Sequence, residues 1–395
     1  MRVLLVSFYY RPEIGAAPSR IANMADGLRK QGCEVDVLTC LPNYPKGRIY
    51  DGYRRKLYFK EKEDSGKIYR YWTYATVSKN PLLRAWGMCS YALMMWAFAF
   101  KIKTVRSYDI VIVQSPPLFV SFSALLLFKC FYKKKVVLNV SDLWPLSAIE
   151  LGAMRDGGML CRIFTKIERF IYRKSDGIFG QSKEILEHIS GFESPDKMFL
   201  YRNLQHYEVA AKPKSRNSTI KIVYAGLLGV AQNILGIIEN VDFKKYGVEF
   251  HVYGGGNQTK EIESYIASHR NNVYYHGYVT KEKIAVELKK YDASIVPLAT
   301  RIKGAVPSKI FDILPVGIPV LFCGGGEGAR IVNDYGVGFV SEPGDYEALG
   351  NNIRKIQTLS DAEYEQLSEN CLKASNTDFD FDLQIRKCYE FLQKM

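Results

Sequence analysis

Apolar and polar positions along this chain follow two periods in turn. Arg2–Phe8 (RVLLVSF) is a continuous apolar run of the buried-strand type, and Tyr9–Pro18 reads as a loop containing Gly15-Ala16-Ala17. From Ser19 to Gln31 the residues Ile21, Met24, Ala25 and Leu28 recur at helical spacing, and Gly32 supplies a stop. Glu34–Thr39, Asp109–Gln114, Lys135–Asn139 and Gly177–Gly180 read as further strands with helices between them. Tyr207–Thr219 holds Pro213, Lys212, Lys214 and Arg216 with few apolar residues, and reads as a linker. A second series follows at Ile220–Ala225, Val248–Tyr253, Val273–Tyr275, Ala293–Val296 and Pro319–Phe322. The alternation predicts an α/β protein: two Rossmann-like domains with parallel sheets, residues 1–206 and 220–378, joined by the linker 207–219. Residues 379–395 form a last helix, centred on Leu383–Gln393. Facing sheet ends of two such domains make a cleft in which open α/β sheets bind ligands.

One stretch departs from this pattern. Ala85–Phe100 (AWGMCSYALMMWAFAF) runs sixteen residues without a charge. As a helix it reaches about 24 Å, short of the hydrocarbon core of a bilayer. Lys79 and Arg84 precede it, Lys101, Lys103 and Arg106 follow, and Trp86 and Trp96 lie near its ends. Leu118–Phe128 is a second apolar run, closed by Lys133-Lys134-Lys135. A buried core helix, an interfacial segment and a true span all remain open for the first run.

Charge sharpens the choice. Residues 1–200 hold 31 Lys+Arg against 18 Asp+Glu, and the remaining residues hold 23 of each, so the net charge of +13 belongs to the first half. The excess either only solubilises that half or meets an anionic surface. With no nucleic-acid-binding motif present, an anionic membrane is the expected partner and nucleic acid is not. The 47% hydrophobic content of the 395 residues excludes disorder. Eight scattered cysteines without a CxxC pair match neither a zinc site nor a disulfide scaffold, and the apolar start is interrupted by Arg11 and Glu13 before it reaches signal-peptide length. A reducing cytoplasm is expected.

Candidate chemistry sits after predicted strands. Gly15-Ala16-Ala17, Gly226-Leu227-Leu228-Gly229 and Tyr253-Gly254-Gly255-Gly256 each read either as a tight turn or as a place where a phosphate or sugar approaches the backbone. The richest stretch is Arg301–Asp345. Pro307-Ser308-Lys309 opens a short helix; Ser308 is expected to cap it, and Lys309 to set a cation beside free backbone N–H groups, an arrangement suited to a diphosphate. Asp312, on nearly the same face, is placed to accept hydrogen bonds from ribose hydroxyls. Gly324-Gly325-Gly326-Glu327 makes another strand-to-helix loop, with one carboxylate in it.

Taken in order, these residues resemble the retaining glycosyltransferases of the GT-B fold, glycosyltransferase family 4, in the branch that makes bacterial O-antigen, capsule and exopolysaccharide. The carriers are YYRPEIGAAPSR (Tyr9–Arg20), PNYP (Pro42–Pro45), SDLWP (Ser141–Pro145), AGLLGVAQ (Ala225–Gln232), HGYVTKEKI (His276–Ile284), VPSKIFD (Val306–Asp312), VGIPVL (Val316–Leu321) and GVGFVSEPGD (Gly336–Asp345). The resemblance implies that the C-terminal helix packs back on the N-terminal domain. It gives donor-binding roles to Gly15, Gly229, Tyr278 (along the base), Arg301, Ser308, Lys309 (diphosphate), Asp312 (ribose) and Glu327 (hydroxyls of the transferred sugar). Lys309, Asp142 and Glu327 become the candidate catalytic residues, Asp142 facing the acceptor from the first domain. Two departures stand out: the earlier of the family's paired glutamates is Gly304, and its usual Arg and Lys after the first strand of domain two are Leu228 and the Gln232-Asn233 segment. Lys309, with Arg301 or Lys303, is then expected to meet the diphosphate charge.

The implied reaction moves a sugar from a nucleoside diphosphate, UDP for preference and with an N-acetylated hexosamine or deoxyhexosamine, to a polyprenyl-diphosphate-linked saccharide. The implied setting is the inner face of the cytoplasmic membrane, with the protein peripheral to it. Charge builds on the departing diphosphate, so a preorganised cation lowers the barrier. No metal or other cofactor is expected. Asp378-Phe379-Asp380-Phe381-Asp382 mimics a metal-binding DxD, but reads better as carboxylates at the entry to the last helix. His188, His206, His251 and His276 read as structural. A GT-B UDP-sugar epimerase, which needs neither a basic half nor an apolar run, and a non-catalytic membrane-associated GT-B subunit are the alternatives.

Overall fold

Continuous apolar strands flanked by amphipathic helices can bury both sheet faces only as parallel sheets with right-handed crossovers, and the chain builds two of them. The computed structural model describes all residues except Asp64, Lys79, Val209, Ala211, Lys212 and Arg270, and the side chains of Lys281 and Glu282. Lys79 and the middle of the predicted linker therefore lie outside the described residues. Two compact units result: Met1–Gln205 with Phe381–Met395, and His206–Asp380.

The strands of the first unit are β1 (Arg2–Val6), β2 (Glu34–Cys40), β3 (Tyr58–Glu63), β4 (Gly66–Tyr71), β5 (Ile110–Ser115), β6 (Lys135–Val140), β7 (Gly177–Gly180) and β8 (Met198–Leu200). Their order is β3-β4-β2-β1-β5-β6-β7-β8, with only the β3–β4 hairpin antiparallel. Neither strand of that hairpin is predicted by the apolar pattern: YFKEKE, at the sheet edge and half exposed, places charges where a buried strand has apolar residues, and GKIYRY, although interior, interleaves basic and apolar residues. The first helix runs from Ala16 to Lys30, three residues earlier than its apolar spacing indicates, with Pro18 in its first turn. The last helix, Phe381–Lys394, belongs to this unit. Gln384 holds it there: its side chain accepts from Arg202 N (2.8 Å) and donates to Arg202 O (3.0 Å).

Ala85–Phe100 becomes the end of an α-helix, Pro81–Met94, followed by a 3₁₀ segment, Met95–Phe100. Gly87, Ser90, Tyr91, Ala92, Met95 and Phe98 are buried, while Leu82, Trp86, Leu93 and Phe100 are 77, 52, 64 and 88% exposed. The run is thus core on one face and bare hydrocarbon on the other. No helix among the described residues is long and apolar enough to cross a membrane.

The second unit contains β9 (Lys221–Leu227), β10 (Glu249–Gly255), β11 (Val273–Tyr275), β12 (Ala293–Pro297), β13 (Val320–Cys323) and β14 (Gly338–Ser341). All pair in parallel in the order β11-β10-β9-β12-β13-β14. This is the 3-2-1-4-5-6 order of a dinucleotide-type fold, whose switch point lies between β9 and β12. Ile222, Tyr224, Phe250, Val252, Ile295 and Leu321 are among its buried core residues. All eight cysteines are free.

Candidate active site

In the second unit the residues after β9, β12 and β13 meet at the carboxyl edge of the sheet, on either side of the switch point. Gly226 and Gly254 pair with each other inside strands β9 and β10, which corrects their reading as loop glycines. The reason is steric. A Cβ on Gly254 would lie 1.7 Å from the carbonyl oxygen of Gly226, so the two strand ends approach more closely than any side chain permits. Gly229 does lie in the loop, where its carbonyl accepts from Gln232 N and Asn233 N.

Lys309 occupies the gap at Gly226. A Cβ there would fall 2.1 Å from Lys309 Cε and 2.5 Å from Nζ, and the ammonium stands 5.7 Å from the centre of the Tyr224 ring. Burial pushes its pKa below that of an ordinary lysine, and Asp312 opposes the shift. Asp312 itself lies beside the Tyr207 hydroxyl, whose pKa rises through burial and then through that carboxylate.

The helix that carries Lys309 differs from expectation. It spans only Lys309–Ile313, and Ser308 at its N-cap makes no side-chain capping bond, because its backbone is already helical (φ −59°, ψ −20°). The N–H groups of Ile310, Phe311 and Asp312 donate to Pro307 O, Ser308 O and Ser308 O. The expected row of free N–H groups is therefore not there. The cation lies over the end of β9 rather than at its own helix start.

Arg301 is exposed, and its stem runs along the first turn of the next loop: a Cβ on Gly325 would lie 3.2 Å from Arg301 Cδ and 3.7 Å from Glu342 Oε2. Glu327 follows in the first turn of the helix Gly326–Asp334 and is buried (2% exposed). Leu228, where the family's arginine is expected, is fully buried and apolar. Tyr278 follows β11 at the far side of the sheet and is exposed. The geometry thus brings Lys309, Asp312, Gly226 and Tyr207 together and sets Arg301 beside the Glu327 loop.

In the first unit Gly15 is the N-cap of the helix Ala16–Lys30, where a Cβ would lie 3.5 Å from Tyr44 Cε1. What holds this loop is Glu13, to which the sequence reading gave no role. Its buried carboxylate accepts from the backbone N–H groups of Tyr10 (3.2 Å), Asn43 (2.8 Å) and Tyr44 (2.8 Å), joining the loop after β1 to the Pro42–Pro45 loop after β2. Burial raises its pKa against the pull of those three donors. Asp142 lies just beyond β6. Its Oδ2 accepts from Ser147 Oγ (3.0 Å), and burial raises its pKa while Ser147 and the Leu143 N–H oppose the rise.

The other candidates have partners within the fold. Asp378 accepts from the Tyr335 hydroxyl (2.6 Å), and Asp382 lies in the first turn of the last helix, 4.0 Å from Lys30. The Nδ1 of His251 and the Nε2 of His276 are 2.9 Å apart, and His251 Nε2 lies 3.1 Å from Glu249. Neighbouring strands create this pair, and linear spacing does not reveal it.

Residues 15–200 match the glycosyl transferase 4-like domain, and residues 208–374 match glycosyl transferases group 1. The chain is 24% identical over 384 residues to the putative colanic acid biosynthesis glycosyl transferase WcaI of Escherichia coli K12, covering 91% of this chain and 93% of that one. Among solved structures it resembles sucrose-phosphate synthase from Thermosynechococcus elongatus (TM-score 0.74, 12% identity, 100% and 98% coverage). It also resembles HepE of Anabaena in complex with UDP-glucose (TM-score 0.68, 13% identity, all of both chains).

Proposed function

The chain is a GT-B glycosyltransferase, its first unit glycosyl transferase 4-like and its second of glycosyl transferases group 1, and from that premise we propose that it transfers a sugar from a UDP-linked donor, with retention, to a lipid-linked saccharide during surface polysaccharide assembly. The observation that carries the reading is the Lys309 ammonium, held over Gly226 at the switch point of the second sheet. HepE was solved with UDP-glucose, and the name of WcaI places that relative in colanic acid biosynthesis.

Mechanistically, breaking the bond between the anomeric carbon and the phosphate oxygen leaves charge on the diphosphate. A cation already partly desolvated gives up little water to meet that charge, so it stabilises the transition state more than the ground state. Asp312 receives the ribose, Glu327 the hydroxyls of the transferred sugar, and Gly15 and Gly229 allow close approach of the donor. Arg301 and Ser308, both between β12 and the helix Lys309–Ile313, contact the donor's outer atoms, and Tyr278 lines the base. Asp142 orients the acceptor hydroxyl. Lys309 counters the negative charge of the leaving group, and no metal is called on.

The first unit meets the cytoplasmic face of an anionic membrane through the exposed apolar residues of Pro81–Phe100 and the basic residues beside them. The deciding experiment incubates the protein with UDP-glucose, UDP-N-acetylglucosamine and other nucleotide sugars, with and without polyprenyl-diphosphate-linked saccharides. Acceptor-dependent release of UDP is expected. Isomerisation of the sugar without acceptor would make the protein an epimerase, and silence on every pair would make it a non-catalytic subunit.

A further inference from the structure

A run of buried polar side chains in the first unit starts at Arg20, five residues beyond Gly15, and ends at the loop that carries Asp142. Arg20 is 1% exposed, and its NH2 donates to Asn139 Oδ1 (2.7 Å) and Tyr201 O (2.8 Å). Its NH1 donates to Gln181 Oε1 at 3.4 Å. None of these acceptors is a carboxylate. Asn139 Nδ2 donates to Gln114 Oε1 (2.7 Å), and Gln114 Nε2 donates to Ser141 Oγ (2.7 Å) and Ser115 O (3.1 Å). Ser141 Oγ in turn donates to Ser115 O at 3.3 Å. Asn139 and Gln114 are as buried as Arg20.

Chemistry permits this chain only one direction. A guanidinium has donors and no acceptor, so Asn139 must turn its oxygen towards Arg20 and its NH₂ towards Gln114. Gln114 is then forced to offer its own NH₂ to Ser141. Burial lowers the Arg20 pKa to about 10, which leaves it a cation at neutral pH. That charge polarises every link in the same sense, and in a medium of low dielectric the links reinforce one another. Without the cation nothing holds the Asn139 amide in this sense, and a flipped Asn139 would set its oxygen against Gln114 Oε1, because Gln114 stays turned by its bond to Ser115 O.

We propose that Arg20, acting through Asn139 and Gln114, is a positioning residue that fixes the Ser141–Pro145 loop and so aims Asp142 for glycosyl transfer. Ser141 is the residue before Asp142, and its N–H also donates to Ser115 O (2.9 Å). The loop is thus pinned on one side by this chain and on the other by the Ser147–Asp142 bond. Because Arg20 stands on the helix that Gly15 opens, one side chain ties the Gly15 loop to the Asp142 loop. The proposal rests on the reading of Asp142 as the acceptor-orienting residue.

The test uses the full chain with whichever donor and acceptor turn over in the panel, and compares Arg20→Met, Arg20→Lys, Ser141→Ala, Asp142→Asn and each of the first three combined with Asp142→Asn. Ser141→Ala removes only the last link and keeps the test sound if Arg20→Met does not fold. Arg20→Met and Ser141→Ala are expected to lower kcat about tenfold with the donor KM unchanged, Arg20→Lys to recover part of that loss, and none to lower it further beside Asp142→Asn. Wild-type kcat in Arg20→Met or Ser141→Ala beside an impaired Asp142→Asn overturns the proposal alone. Losses that multiply with Asp142→Asn overturn it too, since the chain would then act elsewhere. Wild-type turnover by Asp142→Asn removes the reading beneath it, and the proposal with it.

Discussion

The two units share a strand order near their first strands but hold their candidate groups by different physics. In the second unit a lysine is kept by absence: Gly226 has no side chain, and the vacated space holds the Lys309 ammonium against a strand end. In the first unit Asp142 is kept by presence, through hydrogen bonds that fix its loop from both sides. A group that must meet the charge of a departing diphosphate benefits from lost water and few partners. A group that must aim at one hydroxyl benefits from fixed direction. The difference teaches that similar sheets can hold a buried cation by leaving out a side chain and a carboxylate loop by adding hydrogen bonds.

The comparison breaks most visibly at Lys309. Lys309→Ala is expected to lower kcat by about 10²–10³, the usual range for one transition-state charge donor, with the thermal midpoint near that of the wild type. Gly226→Ala is the sharper companion, since its methyl group would sit where Cε and Nζ now are. Displacement of the ammonium should reproduce most of the loss with the lysine still present. Initial-rate kinetics of both variants check this. Wild-type kcat in Gly226→Ala would mean that the place of the cation does not matter.

How much of this was legible beforehand differs between the units for physical reasons. Strands buried on both faces announce themselves as apolar runs, so β1, β5, β6, β9 and β12 could be read within a residue or two. The edge strand β3 could not, because an edge strand has no need of continuous apolar residues. Lys309 could be singled out from VPSKIFD, but its surroundings could not: the expected helix start offers no row of free N–H groups, and the true neighbour, Gly226, lies on another strand. Gln114 and Asn139 meet through the parallel pairing of β5 and β6, and Arg20 reaches Asn139 from the helix Ala16–Lys30, so no linear spacing reveals the three together. Glu13 was visible within YYRPEIGAAPSR, yet nothing in the string says that it accepts from the loop after β2.

Asp142 gives the next largest effect, and a pH dependence whose sign follows from its surroundings. Burial raises its pKa above the ordinary aspartate value of 3.8. The ionised form is the one that accepts a hydrogen bond from an acceptor hydroxyl. As pH falls through the raised value the carboxylate is neutralised, so kcat/KM should show an acid limb lying above the ordinary aspartate range. Asp142→Asn should lower kcat about 10²-fold and abolish the limb. Ser147 favours the charged form, so Ser147→Ala should move the limb to higher pH. A limb that persists unchanged in Asp142→Asn belongs to another group and breaks the orienting half of the comparison.

The smallest effect concerns a contrast of surfaces, and there the units differ most in composition. The whole excess of positive charge lies in residues 1–200, where Trp86, Leu93 and Phe100 stand exposed along one stretch of helix. Basic residues near an anionic bilayer contribute about 1 kcal/mol each, and apolar side chains add to this by leaving water. Replacing Trp86, Leu93 and Phe100 together by serine should therefore reduce flotation with phosphatidylglycerol vesicles about tenfold, not abolish it, because Leu82 and the flanking cations remain. Exposed positions contribute little to folding, so the thermal midpoint and turnover on a water-soluble acceptor should hold. Equal recovery of the wild type with neutral and anionic vesicles would show that the charge asymmetry serves solubility, and the surface contrast would then carry no functional meaning.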